Sequence, residues 1–207
     1  MEKAGAQVAT DAPIEIAGDA LPFVSRGGVK LAGALADFGI AVEGNICLDV
    51  GSSTGGFTDC LLQRGAKRVY AVDVSPEQLA WKLRQDPRVT LIDRNARYLK
   101  TGDIPEPADF VAVDVSFISV TKVLAAIRAV AKPGADFLIL IKPQFELERS
   151  DVGKGGIVRD PKLHERAIGR VRAAAEQADL CPQGVRPSQL PGAEGNQEFF
   201  LHARRNG

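Results

Sequence analysis

Cysteines, aromatic residues and long apolar runs are all scarce in this 207-residue chain. The cysteines, Cys47, Cys60 and Cys181, are odd in number, widely spaced and without a nearby histidine cluster. This pattern argues against a disulfide framework and against a zinc site, so no metal is expected. We interpret the cysteines as small, buried apolar residues.

No apolar stretch is long enough for a membrane helix, and the first residues, MEKAGAQVAT, lack the apolar core of a signal peptide. A cytoplasmic protein is therefore expected. An excess of one charge is also absent, because 26 Lys and Arg residues balance 26 Asp and Glu residues. Residues 61–100 are locally basic, but a solvated surface with scattered charge is the simpler interpretation.

The length suits one principal domain. Residues 1–22, rich in Ala, Gly, Asp and Pro, are predicted to be a tail or the remnant of another module, and residues 23–207 to be the main domain. Continuous apolar runs predict strands at 46–50, 69–74, 89–92, 110–115 and 137–141, with last strands within 181–190 and 197–204. Helical spacing falls at 29–39, 56–64, 76–84, 119–131 and 161–178. This alternation predicts an α/β, doubly wound fold with a mostly parallel, seven-stranded sheet.

A glycine-rich turn follows the first strand, in LDVGSSTGGFTDCLL. Glycines let a ligand approach the backbone, and free amides at a helix N-terminus suit polar groups. The turn lacks the second glycine of G-x-G-x-x-G, which disfavours NAD. The arrangement D-V-G-x-x-x-G-G is instead similar to the first motif of methyltransferases that use S-adenosylmethionine, the cofactor that we expect. A plain tight turn is the alternative interpretation.

Charged side chains are predicted to collect at the carboxyl ends of the strands, where sheets of this kind bind ligands. Asp73 stands where a carboxylate can bind the ribose hydroxyls of an adenosine, and Asn95 follows the third strand, near the expected adenine. Asn95 and its neighbours Asp93 and Arg94 could equally be solvent-facing turn residues. The candidate cofactor-binding residues are Asp49, Gly51, Ser53, Gly55, Phe57, Asp73, Asn95 and Asp114.

Two kinds of methyl acceptor are disfavoured by the motifs present. Methylation of exocyclic base amines usually needs Asn or Asp before Pro-Pro and an aromatic residue, but the fourth strand ends in DVSF. Methylation of pyrimidine carbon uses a nucleophilic cysteine, commonly in a Pro-Cys pair, and only the reverse, Cys181 before Pro182, is present. A ribose 2′-hydroxyl fits better, because a lysine beside an ordering carboxylate, such as Lys142 beside Asp114, is a reasonable base for it.

Several segments together resemble the TlyA family, whose members are named both hemolysins and rRNA 2′-O-methyltransferases. They are SRGGVKL, LDVGSSTGGFTDCLLQRGAKRVYAVDV, QLAWKLRQDPRV, DVSFIS, IKPQFE, VGKGGIVRDP and EGNQEF. The resemblance spans residues 23–203 and implies an FtsJ-like methyltransferase domain with a Rossmann-like fold, S-adenosylmethionine as cofactor and ribosomal RNA as partner.

The resemblance also implies a catalytic tetrad of Lys30, Asp114, Lys142 and Glu198. Lys142 would be the residue closest to a general base, Asp114 would orient it, and Lys30 and Glu198 would position the ribose. Considered singly, Lys30 and Glu198 would be read as ordinary surface charges. The loop 144–161 is expected to cover the substrate, with Lys154 and Arg159 meeting phosphates; without the resemblance it would be read as a flexible surface loop.

One departure from the family pattern is expected to matter. TlyA proteins normally begin with a small RNA-binding domain, which this chain is expected to lack, with residues 7–17 as its last piece. Because the chain as a whole carries no net charge, the domain alone is expected to bind RNA weakly. Alternative hypotheses are a membrane-active hemolysin, which dye release from liposomes would test, and a catalytically silent RNA-associated module, against which the four tetrad residues argue.

Overall fold

The computed structural model describes residues 21–192 and 194–207. The predicted tail or domain remnant, residues 1–22, therefore lies almost wholly outside the described residues. The described chain forms one sheet of seven strands with helices packed on both of its faces. This confirms the predicted α/β class and the mostly parallel, seven-stranded sheet.

The sequence alternates strands with helices along most of its length. The strands are β1 (Ile46–Val50), β2 (Arg68–Asp73), β3 (Val89–Asp93), β4 (Ala108–Val113), β5 (Ala131–Ile141), β6 (Leu180–Pro187) and β7 (Phe199–Arg205). The helices are α1 (Arg26–Phe38), α2 (Gly56–Gln63), α3 (Trp81–Arg84), α4 (Leu124–Ala129), α5 (Pro143–Glu146) and α6 (Pro161–Gln177). Within the described ranges, none of these helices has the length and apolar character needed to cross a membrane.

The order of strands across the sheet is β3-β2-β1-β4-β5-β7-β6. Strands β1 to β5 are parallel to one another, whereas β7 runs antiparallel to both β5 and β6. After β1 the chain continues to β2 on one side of β1, and after β3 it crosses to β4 on the other side. The carboxyl ends of β1 and β4 therefore form a switch point, where sheets of this kind bind ligands. Because β7 is antiparallel, Phe199 at its start pairs with Ile141 at the end of β5. The start of β7 therefore lies on this same edge.

Two predicted helices are shorter than the sequence pattern indicated. Segment 76–84 is a 3₁₀ turn followed by α3, because Leu79 between them is extended and buries its side chain in the core. Segment 119–131 is likewise a 3₁₀ turn followed by α4, which ends at Ala129. The Lys-Pro-Gly triplet at 132–134 lies in β5, beside an irregularity in the β4–β5 register.

The core has one apolar layer on each face of the sheet. Helices α1 and α2 cover one face through Leu31, Leu35 and Leu61, and α4 and α6 cover the other. Cys47 is buried in the first layer, as predicted, but Cys181 is exposed. Cys181 belongs to β6, the edge strand, which is half solvated, so the prediction that it is buried was wrong.

Candidate active site

The glycine-rich turn between β1 and α2 lies at the switch point of the sheet. Gly51 has φ 84° and Gly55 has φ 98°, the left-handed region that side chains disfavour. A Cβ on Gly51 would lie 2.3 Å from the backbone oxygen of Asp114, and one on Gly55 would lie 2.3 Å from Leu83. Both positions therefore require glycine, and the turn packs directly against the end of β4.

A pocket of about 190 Å³ opens beside this turn. Its lining comes from the start of α1, the glycine-rich turn and the end of β4: Ser25, Arg26, Gly27, Lys30, Gly51, Ser52, Ser53, Thr54, Gly56, Phe57 and Asp114. The pocket therefore joins residues predicted to bind a cofactor with two of the four predicted catalytic residues. Among the described residues, no cluster of three or more His, Cys, Asp or Glu could hold a metal ion.

Asp73 ends β2 and is tied to the glycine-rich turn. Its Oδ2 accepts a hydrogen bond from Ser53 N at 2.8 Å, and its Oδ1 accepts one from Ser75 N at 3.0 Å. A carboxylate offers about four acceptor positions, so Asp73 keeps capacity for a ribose diol. Asn95 lies on the same edge but is exposed and outside the pocket lining, and its Oδ1 caps a 3₁₀ turn by accepting from Arg97 N.

Asp49 is fully buried beneath the turn and does not line the pocket. Its Oδ2 accepts a hydrogen bond from Thr58 Oγ1 at 2.6 Å, while its Oδ1 is buried without a hydrogen-bond partner. Burial raises the pKa of Asp49 to about 7; Asp114 and Asp73 add to the rise, and the Thr58 hydrogen bond opposes it. Asp49 is therefore a buried acid that lies under the glycine-rich turn and outside the pocket.

Replacement of Asp49 by Asn is expected to stabilise the fold most at alkaline pH. The pKa of Asp49 rises from 3.8 to about 7 on folding, so the native state keeps a proton that the unfolded chain has released. Stability therefore falls as pH rises between these two values, by at most about 4 kcal/mol at about 1.36 kcal/mol per pKa unit. Thermal unfolding of D49N and of the exposed control E77Q at pH 5 and pH 8 measures this. A pH-dependent loss in D49N equal to that of the wild type would contradict the argument.

Lys142 and Asp114 form the first of two ion pairs at this edge, between the ends of β5 and β4. Lys142 Nζ lies 2.6 Å from Asp114 Oδ1 and donates a hydrogen bond to Ser116 Oγ at 2.7 Å. Asp114 Oδ1 is near enough for an ion pair but accepts no well-directed hydrogen bond. The ammonium is thus oriented from two sides. Sequence reasoning missed Ser116, although a hydroxyl two residues after a site carboxylate was visible in DVSF.

Lys30 and Glu198 form the second ion pair, which is more deeply buried. Lys30 Nζ lies 2.5 Å from Glu198 Oε2, and the two side chains are 10% and 3% exposed. Lys30 comes from α1 and Glu198 from the residue before β7, so the contact joins distant parts of the chain. These two residues are therefore not the ordinary surface charges that each would suggest alone.

Strand alternation explains why three of the four predicted tetrad residues face α1, which carries the fourth, Lys30. Ala112, Leu140 and Phe200 stand two residues from Asp114, Lys142 and Glu198, and all three belong to the layer covered by α1. Side chains two apart in a strand share a face. The same face, which α1 covers, therefore receives the side chains of Asp114, Lys142 and Glu198.

Phe117 is an exposed aromatic residue at the mouth of the site. The residue is 92% exposed, and its φ of 63° is unfavourable for a bulky side chain. The ring lies 5.5 Å from the ring of Phe145, over which Lys142 Nζ stands at 5.9 Å. The strained backbone and the exposed ring make Phe117 a candidate ligand contact.

Comparison with known proteins gives a consistent picture. The FtsJ-like methyltransferase family matches residues 23–205. The 16S/23S rRNA (cytidine-2′-O)-methyltransferase TlyA of Mycobacterium tuberculosis is 50% identical over 183 residues, which are 88% of this chain and 68% of that protein. Hemolysin A of Brachyspira hyodysenteriae is 46% identical over 184 residues, 88% of this chain and 77% of that protein.

A solved structure shows the same fold at high similarity. The crystal structure of a protein described as a hemolysin, from Lactococcus lactis, superposes with a TM-score of 0.87 at 44% identity and covers 91% of each chain. The predictions of a methyltransferase, of an S-adenosylmethionine donor and of a TlyA-like relationship are confirmed by these matches. The chain belongs to the FtsJ-like methyltransferase family.

Proposed function

We propose that the protein transfers a methyl group from S-adenosylmethionine to a ribose 2′-hydroxyl of ribosomal RNA. The observation that carries this proposal is the pair of ion pairs, Lys142 with Asp114 and Lys30 with Glu198, beside one glycine-lined pocket. Support for the substrate comes from the TlyA relative, which is named as an rRNA cytidine-2′-O-methyltransferase. A ribosomal substrate would place the protein in the cytoplasm.

The residues present fit this cofactor. Ser52 Oγ, which lines the pocket, is buried without a hydrogen-bond partner, which suits a polar ligand. The glycine-rich turn and Phe57 would hold the cofactor near the switch point, and Asp73 would hold its ribose. When bound, S-adenosylmethionine supplies an electrophilic methyl group on a sulfonium.

Lys142 is proposed to remove the proton of the acceptor hydroxyl. Its Nζ donates a hydrogen bond to Ser116 Oγ and lies beside the carboxylate of Asp114, at 2.6 Å from Oδ1. To act as the base, Nζ must be in its neutral amine form, whose lone pair would point to the 2′-hydroxyl and take its proton as the oxygen attacks. The carboxylate of Asp114 stabilises the ammonium that results. Because Asp114 also lines the pocket, one carboxylate connects the donor side of the site with the acceptor side.

Lys30 and Glu198 are proposed to fix the ribose rather than to move its proton. Glu198 is buried and holds the Lys30 ammonium on the pocket wall at a single place. A cation held in this way can bind the hydroxyl and phosphate oxygens of a nucleotide. Phe117 offers its exposed ring to a nucleobase beside that ribose, since base stacking on an aromatic ring contributes to binding of single-stranded RNA.

The position of the transferred methyl group tests the proposal. Ribosomal subunits that carry no methyl group at the target are incubated with radiolabelled S-adenosylmethionine and the full chain, and the RNA is digested to nucleosides. We expect the label in a 2′-O-methylnucleoside, which also makes the adjacent phosphodiester resistant to alkali. Label on a base or on protein, or no transfer to RNA, would overturn the proposal.

The organisation of the chain is also a proposal. Residues 23–207 are proposed to form the catalytic domain, in keeping with the family match over residues 23–205. The predicted weak RNA binding of this domain stays a prediction. It would be measured as the affinity of residues 23–207 for ribosomal RNA at several salt concentrations, since phosphate contacts make such binding salt-dependent.

A further inference from the structure

We propose that Asn196 is a positioning residue that clamps the glycine-rich loop 153–159 beside Glu198, so that the loop forms a fixed wall for the acceptor RNA. This inference rests on the function proposed above, because it assigns the RNA contact to a particular loop. Asn196 was not among the residues predicted from the sequence. Its place in EGNQEF, two residues before Glu198, was the only signal available.

The side-chain amide of Asn196 holds two backbone groups of the loop at once. Its Oδ1 accepts a hydrogen bond from Val158 N at 2.8 Å, and its Nδ2 donates one to Gly156 O at 2.9 Å. Asn196 is only 1% exposed, so both of its polar groups depend on the loop for partners. The amide therefore pairs with the loop backbone much as a neighbouring strand would.

A second side chain holds the same loop from α6. His164 Nε2 lies 2.9 Å from Val158 O, which can only accept, so this nitrogen carries the proton. The His164 ring also packs edge-on against Phe199, at 5.4 Å between ring centroids. Both backbone polar groups of Val158 are thus held, and its side chain is buried. This fixes the carboxyl-terminal part of a loop whose other residues are mostly exposed.

The clamp connects the loop to both ion pairs. The loop follows α5, which begins directly after Lys142, and it is anchored by Asn196, two residues before Glu198. On either side of Val158, Lys154 and Arg159 are exposed and positively charged. A loop held at this point presents those two cations at a fixed distance from the tetrad, as recognition of an RNA backbone requires.

Limited trypsin digestion measures the clamp without any methyl transfer. Trypsin cleaves after Lys154 and Arg159, and we expect N196A to be cut there about tenfold faster than the wild type, because two buried hydrogen bonds are lost. H164F, which keeps a ring against Phe199, should be cut faster by a smaller factor. The control N45A removes an exposed asparagine amide at the amino end of β1 and should be cut at the wild-type rate. Equal cutting of N196A and N45A would overturn the clamp.

Steady-state kinetics then measure the role of the clamp in RNA binding. We expect N196A to raise KM for ribosomal RNA about tenfold, to change kcat less and to leave the Kd for S-adenosylmethionine within about twofold. Faster cutting with an unchanged KM would overturn the positioning role. If N196A does not fold, H164F and N196D, which keeps only the acceptor for Val158 N, carry both measurements. A wild type that methylates no RNA would refute the proposed function, while the digestion would still decide on the clamp.

Discussion

Replacement of Lys142 by Met is expected to lower the rate of methyl transfer about 10³-fold while leaving S-adenosylmethionine affinity within about twofold. A positioned general base contributes roughly 10² to 10⁴ in rate, and Met keeps the apolar stem while removing the amine. Affinity should be preserved because Lys142 does not line the pocket. Single-turnover kinetics with saturating RNA, together with calorimetric titration of the cofactor, provide the two measurements.

Two further variants make this prediction specific. K142R keeps a positive charge near Asp114 but cannot accept a proton, so it should be as inactive as K142M. K67M removes an exposed lysine at the amino end of β2, on the opposite edge of the sheet, and should transfer methyl groups at the wild-type rate. If K142R retained a tenth or more of the activity, Lys142 would act as a fixed charge and not as the base.

Replacement of Glu198 by Gln should cost both activity and stability. The substitution leaves the Lys30 ammonium without its counter-charge in a buried site, where the side chains of Lys30 and Glu198 are 10% and 3% exposed. Breaking a buried ion pair by removing one partner typically costs about 3–5 kcal/mol of unfolding free energy. Urea denaturation of E198Q measures the loss, with the exposed variant E77Q as a control that should change stability by less than about 0.5 kcal/mol.

The double variant K30M/E198M separates the structural effect from the functional one. Replacing both members of a buried pair by apolar residues is often neutral or stabilising, so the double variant should recover most of the stability that E198Q loses. It should remain inactive, because no cation is left to fix the ribose. A double variant as unstable as E198Q would show that the free energy lies in packing around Glu198 and not in an uncompensated charge.

Strand positions could be predicted closely because buried parallel strands are nearly continuous apolar runs. The run 46–50 coincides with β1, and the helix at 161–178 differs from α6 by one residue. Helix lengths were harder to predict, as at segment 76–84, because tertiary burial of Leu79 outweighs the local helical pattern. Local periodicity carries no information about such a residue until its neighbours across the fold are known.

The candidate site could be predicted as a set of residues but not as a set of contacts. The sequence placed Asp114 and Lys142 at strand ends, and parallel topology then brings those ends to one edge. The contacts of Ser116 and Asn196 depend on side-chain directions within irregular loops, for which no sequence rule exists. Asp49, by contrast, follows directly after a buried apolar run, yet only the structure shows that it lies under the turn and outside the pocket.

The contacts that build the site differ in how many residues separate their partners along the chain. The hydrogen bond of Thr58 to Asp49 spans nine residues, and that of Ser53 to Asp73 spans 20. The Lys30–Glu198 contact spans 168 residues. Closing a long loop costs more conformational entropy than closing a short one. The contacts around the glycine-rich turn are therefore assembled from nearby parts of the chain, whereas the Lys30–Glu198 pair forms only when both ends of the domain have come together.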